Sequence, residues 1–133
     1  YGDQAYDVDC VAQRGTAVTI VPRRREYQNP LSPVVEGCRI DLNPEIIHYV
    51  SQITKCFGTH GACDYDVALD YMGEPRLMDA SCRPSGSCGA TLDAGVNILH
   101  QLLRVMLDWP VKTDKPADGM RFRPFPHLAR TSR

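Results

Sequence analysis

Hydrophobic and polar residues alternate in two parts of this chain, which is the pattern of strands with one polar face. Residues 5–12 alternate large apolar and acidic side chains, and residues 63–72 place Cys63, Tyr65 and Val67 on one side. The β-branched stretch 15–21 lies between Gly15 and Pro22 and also predicts a strand. Further strands are predicted at 34–40, at 76–83 as the partner of 63–72 in a hairpin, and at 120–124.

Two other stretches repeat their apolar residues at helical spacing. In residues 43–58, Asn43 is an N-cap residue, Pro44 suits the first helical position, and Gly58 can end the helix. Residues 90–109 form a longer apolar stripe that ends before Pro110. We therefore expect two main helices.

The order of these elements predicts an α+β fold. We expect a small, mostly antiparallel sheet of about four strands, with the two helices on one face. The chain of 133 residues is predicted to form a single secreted domain over 1–133, with a flexible basic tail from about residue 125.

Charge and hydropathy exclude two classes of partner. The formal net charge of −1 gives no overall attraction to nucleic acid, so we do not expect a nucleic-acid partner. No run of 18 apolar residues occurs, so we expect no membrane span.

The cysteines are the strongest compositional signal. An even number spread along a small chain favours disulfides and an oxidising compartment, and the start at Tyr1 is typical of a secreted protein whose signal peptide has been removed. We therefore expect a disulfide-stapled fold, with fifteen possible pairings among six cysteines. The six are Cys10, Cys38, Cys56, Cys63, Cys82 and Cys88.

A zinc site is the alternative for part of this set. Cys56, His60 and Cys63 could supply three ligands, with Cys82 or Cys88 as the fourth. Their spacing is not that of the usual zinc knuckle, so we predict no metal, no cofactor and an exposed loop position for His60.

No catalytic motif is present, and we predict no catalytic residues and no enzyme activity. A small secreted enzyme such as a ribonuclease remains the alternative, using two of His48, His100, Glu45 and Glu74 for acid–base transfer. A killer toxin or inhibitor module is a further alternative. The small residues of 86–95 could bind an anion before a helix, although a plain loop is the simpler interpretation.

Charged segments suggest contact surfaces. The arginines at 23–25 and the arginine–aromatic segment 121–130 could dock a protein, or else be a solvated loop and tail. Asp64, Asp66, Asp70 and Glu74 lack the spacing of a calcium loop and are predicted to form a solvated strand face.

The segment Met-Arg-Phe-Arg-Pro at 120–124 resembles the Trp-Arg-(Phe/Tyr)-(Arg/Lys) motif of the Leptosphaeria avirulence-suppressing effector family, which includes an extracellular protein of Fulvia fulva. The match comprises Arg121, Phe122 and Arg123, and Met120 replaces the tryptophan. The cysteine content and the order of helices and strands agree with this resemblance.

The resemblance implies a non-enzymatic effector that a plant-pathogenic fungus secretes into the apoplast, and that could later enter host cytoplasm. Its implied partners are a host plant protein and a plant immune receptor. The receptor would recognise this effector, or this effector would hide another effector from the receptor. The family motif would hold the fold together or present a surface.

Overall fold

The computed structural model describes residues 4–26 and 37–123, and its centre is one antiparallel sheet. The sheet has six strands in the order β5-β4-β1-β2-β3-β6. In chain order the elements are β1 (Ala5–Gln13), β2 (Thr16–Arg25), β3 (Cys38–Ile40), α1 (Pro44–Phe57), β4 (Gly61–Leu69), β5 (Pro75–Ser81), α2 (Cys88–Asp93), α3 (Ile98–Met106) and β6 (Arg121–Phe122).

The middle of the sheet is a long hairpin, β1–β2, whose turn is Arg14–Gly15. Gln13 and Thr16 are paired across the turn, and both turn residues have positive φ, 51° and 79°. A two-residue turn with two positive φ angles matches the twist of antiparallel strands. Strand β4 then pairs with the other edge of β1.

Helix α1 covers one face of the sheet, and its ends follow from local chemistry. The Asn43 side chain accepts hydrogen bonds from the backbone N–H groups of Glu45 and Ile46, and Gly58 ends the helix at φ 61°. Ile46 and Val50 of α1 are fully buried against the sheet. Burying each such side chain stabilises the fold by roughly 1.5–3 kcal/mol. Their sheet partners are Tyr6, Val8, Cys10, Ala12, Cys63, Tyr65 and Val67.

Helices α2 and α3 cover part of the opposite face. Here the buried cluster joins Val11, Val21, Ile40 and Ala62 of the sheet to Ala94, Val96, Ile98 and Val105. This cluster fills only one end of that face. Along β1, β2 and β4, this face also carries charged residues, and they form the site described below.

The predicted helix 43–58 and the pairing of 63–72 with 76–83 are confirmed. The predicted four-strand, two-helix, disulfide-stapled α+β domain is wrong. The helix predicted over 90–109 is two short helices, because Gly95 has φ 102° and Asn97 caps a new helix by accepting from the His100 backbone N–H. The helices also lie on both faces of a six-stranded sheet.

All six cysteines are free thiols, so the predicted stapling is wrong as well. Two expectations, residues 34–36 as the start of a strand and the tail from about 125, lie outside the described residues. Within 4–26 and 37–123, none of the helices has the length and apolar character needed to span a bilayer.

Candidate functional site

The site is a cluster of charged side chains on the sheet face that α2 and α3 cover only in part. We call it the charged cluster, and its members come from the four strands β5, β4, β1 and β2. Strand alternation places residues i and i+2 on one face, and the register then brings them side by side. The members are Asp79 on β5, Asp64 and Asp66 on β4, Asp7 and Asp9 on β1, and Arg23 and Arg25 on β2.

Arg25 joins two strands at the outer part of the charged cluster. Its Nε donates to Asp7 Oδ1 at 2.6 Å, and its Nη2 lies 2.8 Å from Asp66 Oδ1. Asp7 and Asp66 are directly paired across β1 and β4, so without a cation their like charges would repel. Burial raises the pKa of Asp66, and the hydrogen bond from Arg25 opposes that rise.

Arg23 and Asp9 form the buried floor of the charged cluster. Their side chains are 0% and 1% exposed, and Arg23 Nη2 lies 3.3 Å from Asp9 Oδ1. Thr91 Oγ1 donates to Asp9 Oδ2 at 2.5 Å, and Arg23 Nη1 donates to Ser87 Oγ. These bonds attach α2 and the loop before it to the sheet. Nε and Nη2 of Arg23 still lack a well-aligned acceptor.

Asp64 lies between this floor and the open part of the cluster. Burial, and next the charge of Asp9 on the neighbouring strand, raise the pKa of Asp64 from 3.8 to about 6. Arg83 Nη1 lies 3.3 Å from Asp64 Oδ2, while Asp64 Oδ1 is buried without a hydrogen bond. This carboxyl can therefore gain or lose a proton close to neutral pH.

The open end of the charged cluster is formed by two aspartates on adjacent strands. Asp66 and Asp79 are paired in register, with Asp79 exposed and the Asp66 side chain 36% exposed. Among the described residues, no group of three or more His, Cys, Asp or Glu side chains could hold a metal ion alone. A divalent cation that arrives with oxygen ligands of its own needs only one or two protein carboxylates. Asp66 and Asp79 fit that donor set.

A pocket lies at the other end of the same face, over β3 and β6. Its volume is about 350 Å³, and we call it the α2 pocket. Cys38 lines it and is the register neighbour of Arg25, so the α2 pocket adjoins the charged cluster. The lining residues are Gly37, Cys38, Gly86, Ser87, Gly89, Ala90, Asp93, Phe122 and Arg123.

The histidine and glutamate candidates lie elsewhere. Glu45, His48 and Glu74 line one cleft of about 510 Å³ between α1 and the β4–β5 turn. His100 is on α3, which packs on the opposite face of the sheet, so the two histidines are not brought together. Both are exposed.

The cysteines lie at different depths in the fold. Cys10, Cys38 and Cys63 are buried, Cys88 is half-buried, and Cys56 and Cys82 are exposed. The described residues contain no metal-holding group that includes Cys56 or Cys63. His60 is exposed, as predicted, and its Nδ1 accepts a hydrogen bond from the Arg14 backbone N–H.

The predictions of a loop for the arginines and of a solvated strand face for the aspartates are wrong. Arg23 and Arg25 belong to β2 and not to a loop, and Asp64 and Asp66 are ion-paired and partly buried and not solvated. Asp70 instead shapes the β4–β5 turn by accepting from the N–H groups of Met72 and Glu74. The sequence signal that could have indicated the charged cluster was an Asp-x-Asp pattern in two strands and an Arg-x-Arg pattern in a third.

The predicted family motif lies at the edge of the sheet. Arg121 and Phe122 form β6, and Arg121 Nε is 3.3 Å from Glu26 Oε1. Phe122 packs against the cluster beneath α2 and α3. Phe122 and Arg123 line the α2 pocket.

Comparison with known proteins now gives the family. Residues 2–126 match the profile of the family described as ATP-grasp in the biosynthetic pathway with Ter operon. The chain belongs to this ATP-grasp family. A search of curated protein sequences gives no match.

Solved ATP-grasp structures share the fold at low sequence identity. The ADP complex of PurK, an N5-carboxyaminoimidazole ribonucleotide synthetase, has a TM-score of 0.70 and 16% identity, over 84% of this chain and 31% of that one. The N5-carboxyaminoimidazole synthase of Aspergillus clavatus, in complex with ADP and 5-aminoimidazole ribonucleotide, has a TM-score of 0.71 and 13% identity, over 85% and 32%. The L-amino acid ligase of Bacillus licheniformis has a TM-score of 0.66 and 14% identity, over 94% and 34%.

This ATP-grasp chain spans about a third of the length of those structures. The family match overturns the interpretation of the chain as a non-enzymatic fungal effector, and with it the ribonuclease, toxin and inhibitor alternatives. The resemblance of 120–124 to the effector motif is a short coincidence. The predicted extracellular location and plant partners stay predictions that the fold does not test.

Proposed function

We propose that this chain supplies part of the active site of an ATP-dependent ligase, and that the open end of the charged cluster binds the magnesium-bound phosphates of ATP. The observation that carries the proposal is the register pair Asp66–Asp79, two neighbouring carboxylates at the open end of the charged cluster, of which Asp79 is exposed and Asp66 is half-buried beside Arg25. Family membership and the two neighbours crystallised with ADP support it.

Different members of the charged cluster have different roles in this proposal. Asp66 and Asp79 would hold Mg²⁺, which offsets phosphate charge when bound. Arg25 holds Asp7 and Asp66 in place through the contacts given above. The buried pair Arg23–Asp9 keeps β2 and β1 in register and attaches α2, so the face keeps its shape when a ligand binds.

The test is ADP binding by the full-length gene product, measured by calorimetry with and without Mg²⁺. We expect binding that depends on Mg²⁺. Asp66→Asn and Asp79→Asn should each weaken it roughly 10- to 100-fold, since an interaction with a charged group contributes about 1.5–3 kcal/mol.

Asp108→Asn is the matched control, because Asp108 contacts Arg14 and Gln13 on another part of the surface. It should leave the affinity unchanged. Mg²⁺-independent ADP binding, or equal affinities in all three variants, would remove the proposed role of the carboxylates.

A further inference from the structure

Three cysteines of neighbouring strands, which we call the cysteine row, lie side by side across the sheet: Cys10, Cys63 and Cys82. Cys10 on β1 is the register partner of Cys63 on β4. On the other edge of β4, Asp64 pairs with Ser81 of β5. Antiparallel strands run in opposite directions, so the next position beyond that pair brings Cys63 opposite Cys82. Register partners point to the same face, which for this row is the face that α1 covers.

The thiols of Cys63 and Cys82 lie within hydrogen-bond reach of each other. Burial raises the pKa of Cys63, and the charge and hydrogen bond of the Cys82 thiol raise it further. Register partners have Cα atoms about 4.5 or 5.5 Å apart, and both distances are within the range that a disulfide spans. The fold therefore holds these two sulfur atoms where a bond could form without moving the strands.

The members of the cysteine row differ in their access to solvent. Cys82 is exposed, whereas Cys63 and Cys10 are 2% and 0% exposed. Cys10 also contacts the Thr54 hydroxyl beneath α1, and burial raises its pKa to about 12. A dissolved reagent thus reaches the row at Cys82.

Geometry then selects Cys63 as the partner of Cys82. From β1 to β5 the sheet crosses two strand spacings, or about 10 Å at about 4.8 Å each. A disulfide needs Cα atoms within about 6.8 Å, so Cys10 is too far from Cys82 to bond to it.

A pocket of about 550 Å³ adjoins the pair and has room for a small reagent. Cys63 and Cys82 both line it, next to residues 57–61 at the end of α1 and the turn that follows. Leu102 and Met106 of α3 supply apolar surface on another side. The exposed thiol therefore lies in a concave site.

We propose that Cys82 and Cys63 form a thiol–disulfide exchange site for a low-molecular-weight disulfide. The Cys82 thiolate attacks one sulfur of the small disulfide, which forms a mixed disulfide and releases one small thiol. Cys63 then attacks the Cys82 sulfur, which forms the Cys63–Cys82 bond and releases the second small thiol. The small disulfide is reduced, the two cysteines are oxidised, and the two thiol protons end on the released thiols. The free thiols of the structure are the reduced state of this site.

The bond fastens the edge strand β5 to β4 and leaves the charged cluster open. Cys63 precedes Asp64 on β4, and neighbouring residues of a strand point to opposite faces. A bond between positions 63 and 82 also closes a loop in the unfolded chain and restricts its freedom, so the oxidised protein should resist urea better than the reduced protein. This inference does not rest on the proposed function.

The first experiment treats the reduced full-length gene product with oxidised glutathione under native conditions. The remaining thiols are then blocked by alkylation, and peptide mass spectrometry locates each modified cysteine. We expect a peptide pair joined through Cys63 and Cys82, lighter by two hydrogens than the reduced peptides, and its loss on adding dithiothreitol. Glutathione that stays on Cys82, or a Cys82 that does not react, would overturn the proposal.

Cys63→Ser separates the two steps because it removes the second nucleophile. Glutathione should then remain on Cys82, at roughly tenfold or more the amount found in the wild-type protein, since attack within one molecule is faster than a second bimolecular reaction. Cys82→Ser should leave the buried Cys63 unmodified in the folded protein. Equal glutathione on Cys82 with and without Cys63, or modified Cys63 in Cys82→Ser, would refute this order of attack.

Cys56→Ser is the matched control, because Cys56 is also an exposed thiol but lies on α1, outside the cysteine row. It should not change the yield of the Cys63–Cys82 bond. A yield that depended on Cys56 would assign the exchange to a different pair and overturn the proposal.

The urea midpoint tests the effect of the bond on the sheet. It should be higher for the oxidised than for the reduced wild-type protein, and the difference should vanish in Cys63→Ser. Equal midpoints in the two wild-type samples would show that the bond does not hold β5 to β4. MgADP binding, measured on the same samples, reports on the nucleotide site separately, so either proposal can fail while the other stands.

Discussion

Replacing Arg23 by methionine should cost this fold a large part of its stability. Methionine keeps the apolar stem of the side chain and removes the cation. Within residues 4–26 and 37–123, Asp9 is then left buried with the Thr91 hydroxyl as its one side-chain hydrogen-bond partner. Both side chains are at most 1% exposed. Breaking a buried pair from one side costs about 3–5 kcal/mol, because an uncompensated charge remains.

That cost is large against the roughly 5–15 kcal/mol by which small domains are stable. Urea unfolding, followed by far-ultraviolet circular dichroism, measures it. The companion variant carries Arg23→Met together with Asp9→Leu, which removes both charges. It should be at least about 2 kcal/mol more stable than Arg23→Met alone, since an apolar pair has no stranded charge.

Arg14→Met is the matched control. Arg14 and Asp108 also form an ion pair, but their side chains are 75% and 65% exposed. Its loss should cost less than about 1 kcal/mol. If Arg23→Met costs as little as Arg14→Met, or if the double variant is no more stable than Arg23→Met, the burial argument for the Arg23–Asp9 pair is refuted.

Three further predictions concern other parts of the fold. The pKa of Asp64 is raised from 3.8 to about 6, so between these values the native state holds a proton that the unfolded chain releases. Stability should therefore fall as the pH rises from about 4 to 6. The urea midpoint measured against pH should show this slope, and Asp64→Asn should flatten it. Asn43→Ala removes the cap of α1 and should lower the unfolding free energy by about 1 kcal/mol, whereas an unchanged urea midpoint would contradict the capping role. With no reductant present, the exposed thiols of Cys56 and Cys82 should react quickly with a thiol reagent. Cys10 is buried, burial raises its pKa to about 12, and it should react only when the protein unfolds. In a chain whose cysteines were all in disulfides, neither the fast reaction nor the reaction on unfolding would occur.

Local signals account for the elements that were predicted correctly. Helix α1 is specified by its own cap, proline and glycine together with apolar residues at helical spacing, and all of these act within one segment. The β4–β5 hairpin is likewise short-range, with Asp70 shaping its turn. Interactions between residues close in the chain need no knowledge of the rest of the fold.

Two of the errors concern distant parts of the chain, and the third, the break in the helix over 90–109, is local. The count of six cysteines suggested disulfides, but whether two cysteines can bond depends on their positions in the fold. The fold leaves all six thiols free. The helix over 90–109 was predicted as continuous because the apolar stripe is continuous, whereas Gly95 takes a positive φ that breaks it. Arginines 23–25 looked like a loop because burial of Arg23 depends on Asp9, which lies 14 positions earlier.

By itself, the sequence determined where most strands run, where α1 begins and ends, and which residues alternate on each strand. Only the tertiary structure decided that Asp7, Asp9, Asp64, Asp66 and Asp79 lie on one face with Arg23 and Arg25. Alternation assigns a residue to a face of its own strand, but strand order and register bring faces of different strands together. The charged cluster is produced by that register, and so its chemistry was not visible in the pattern of any one segment.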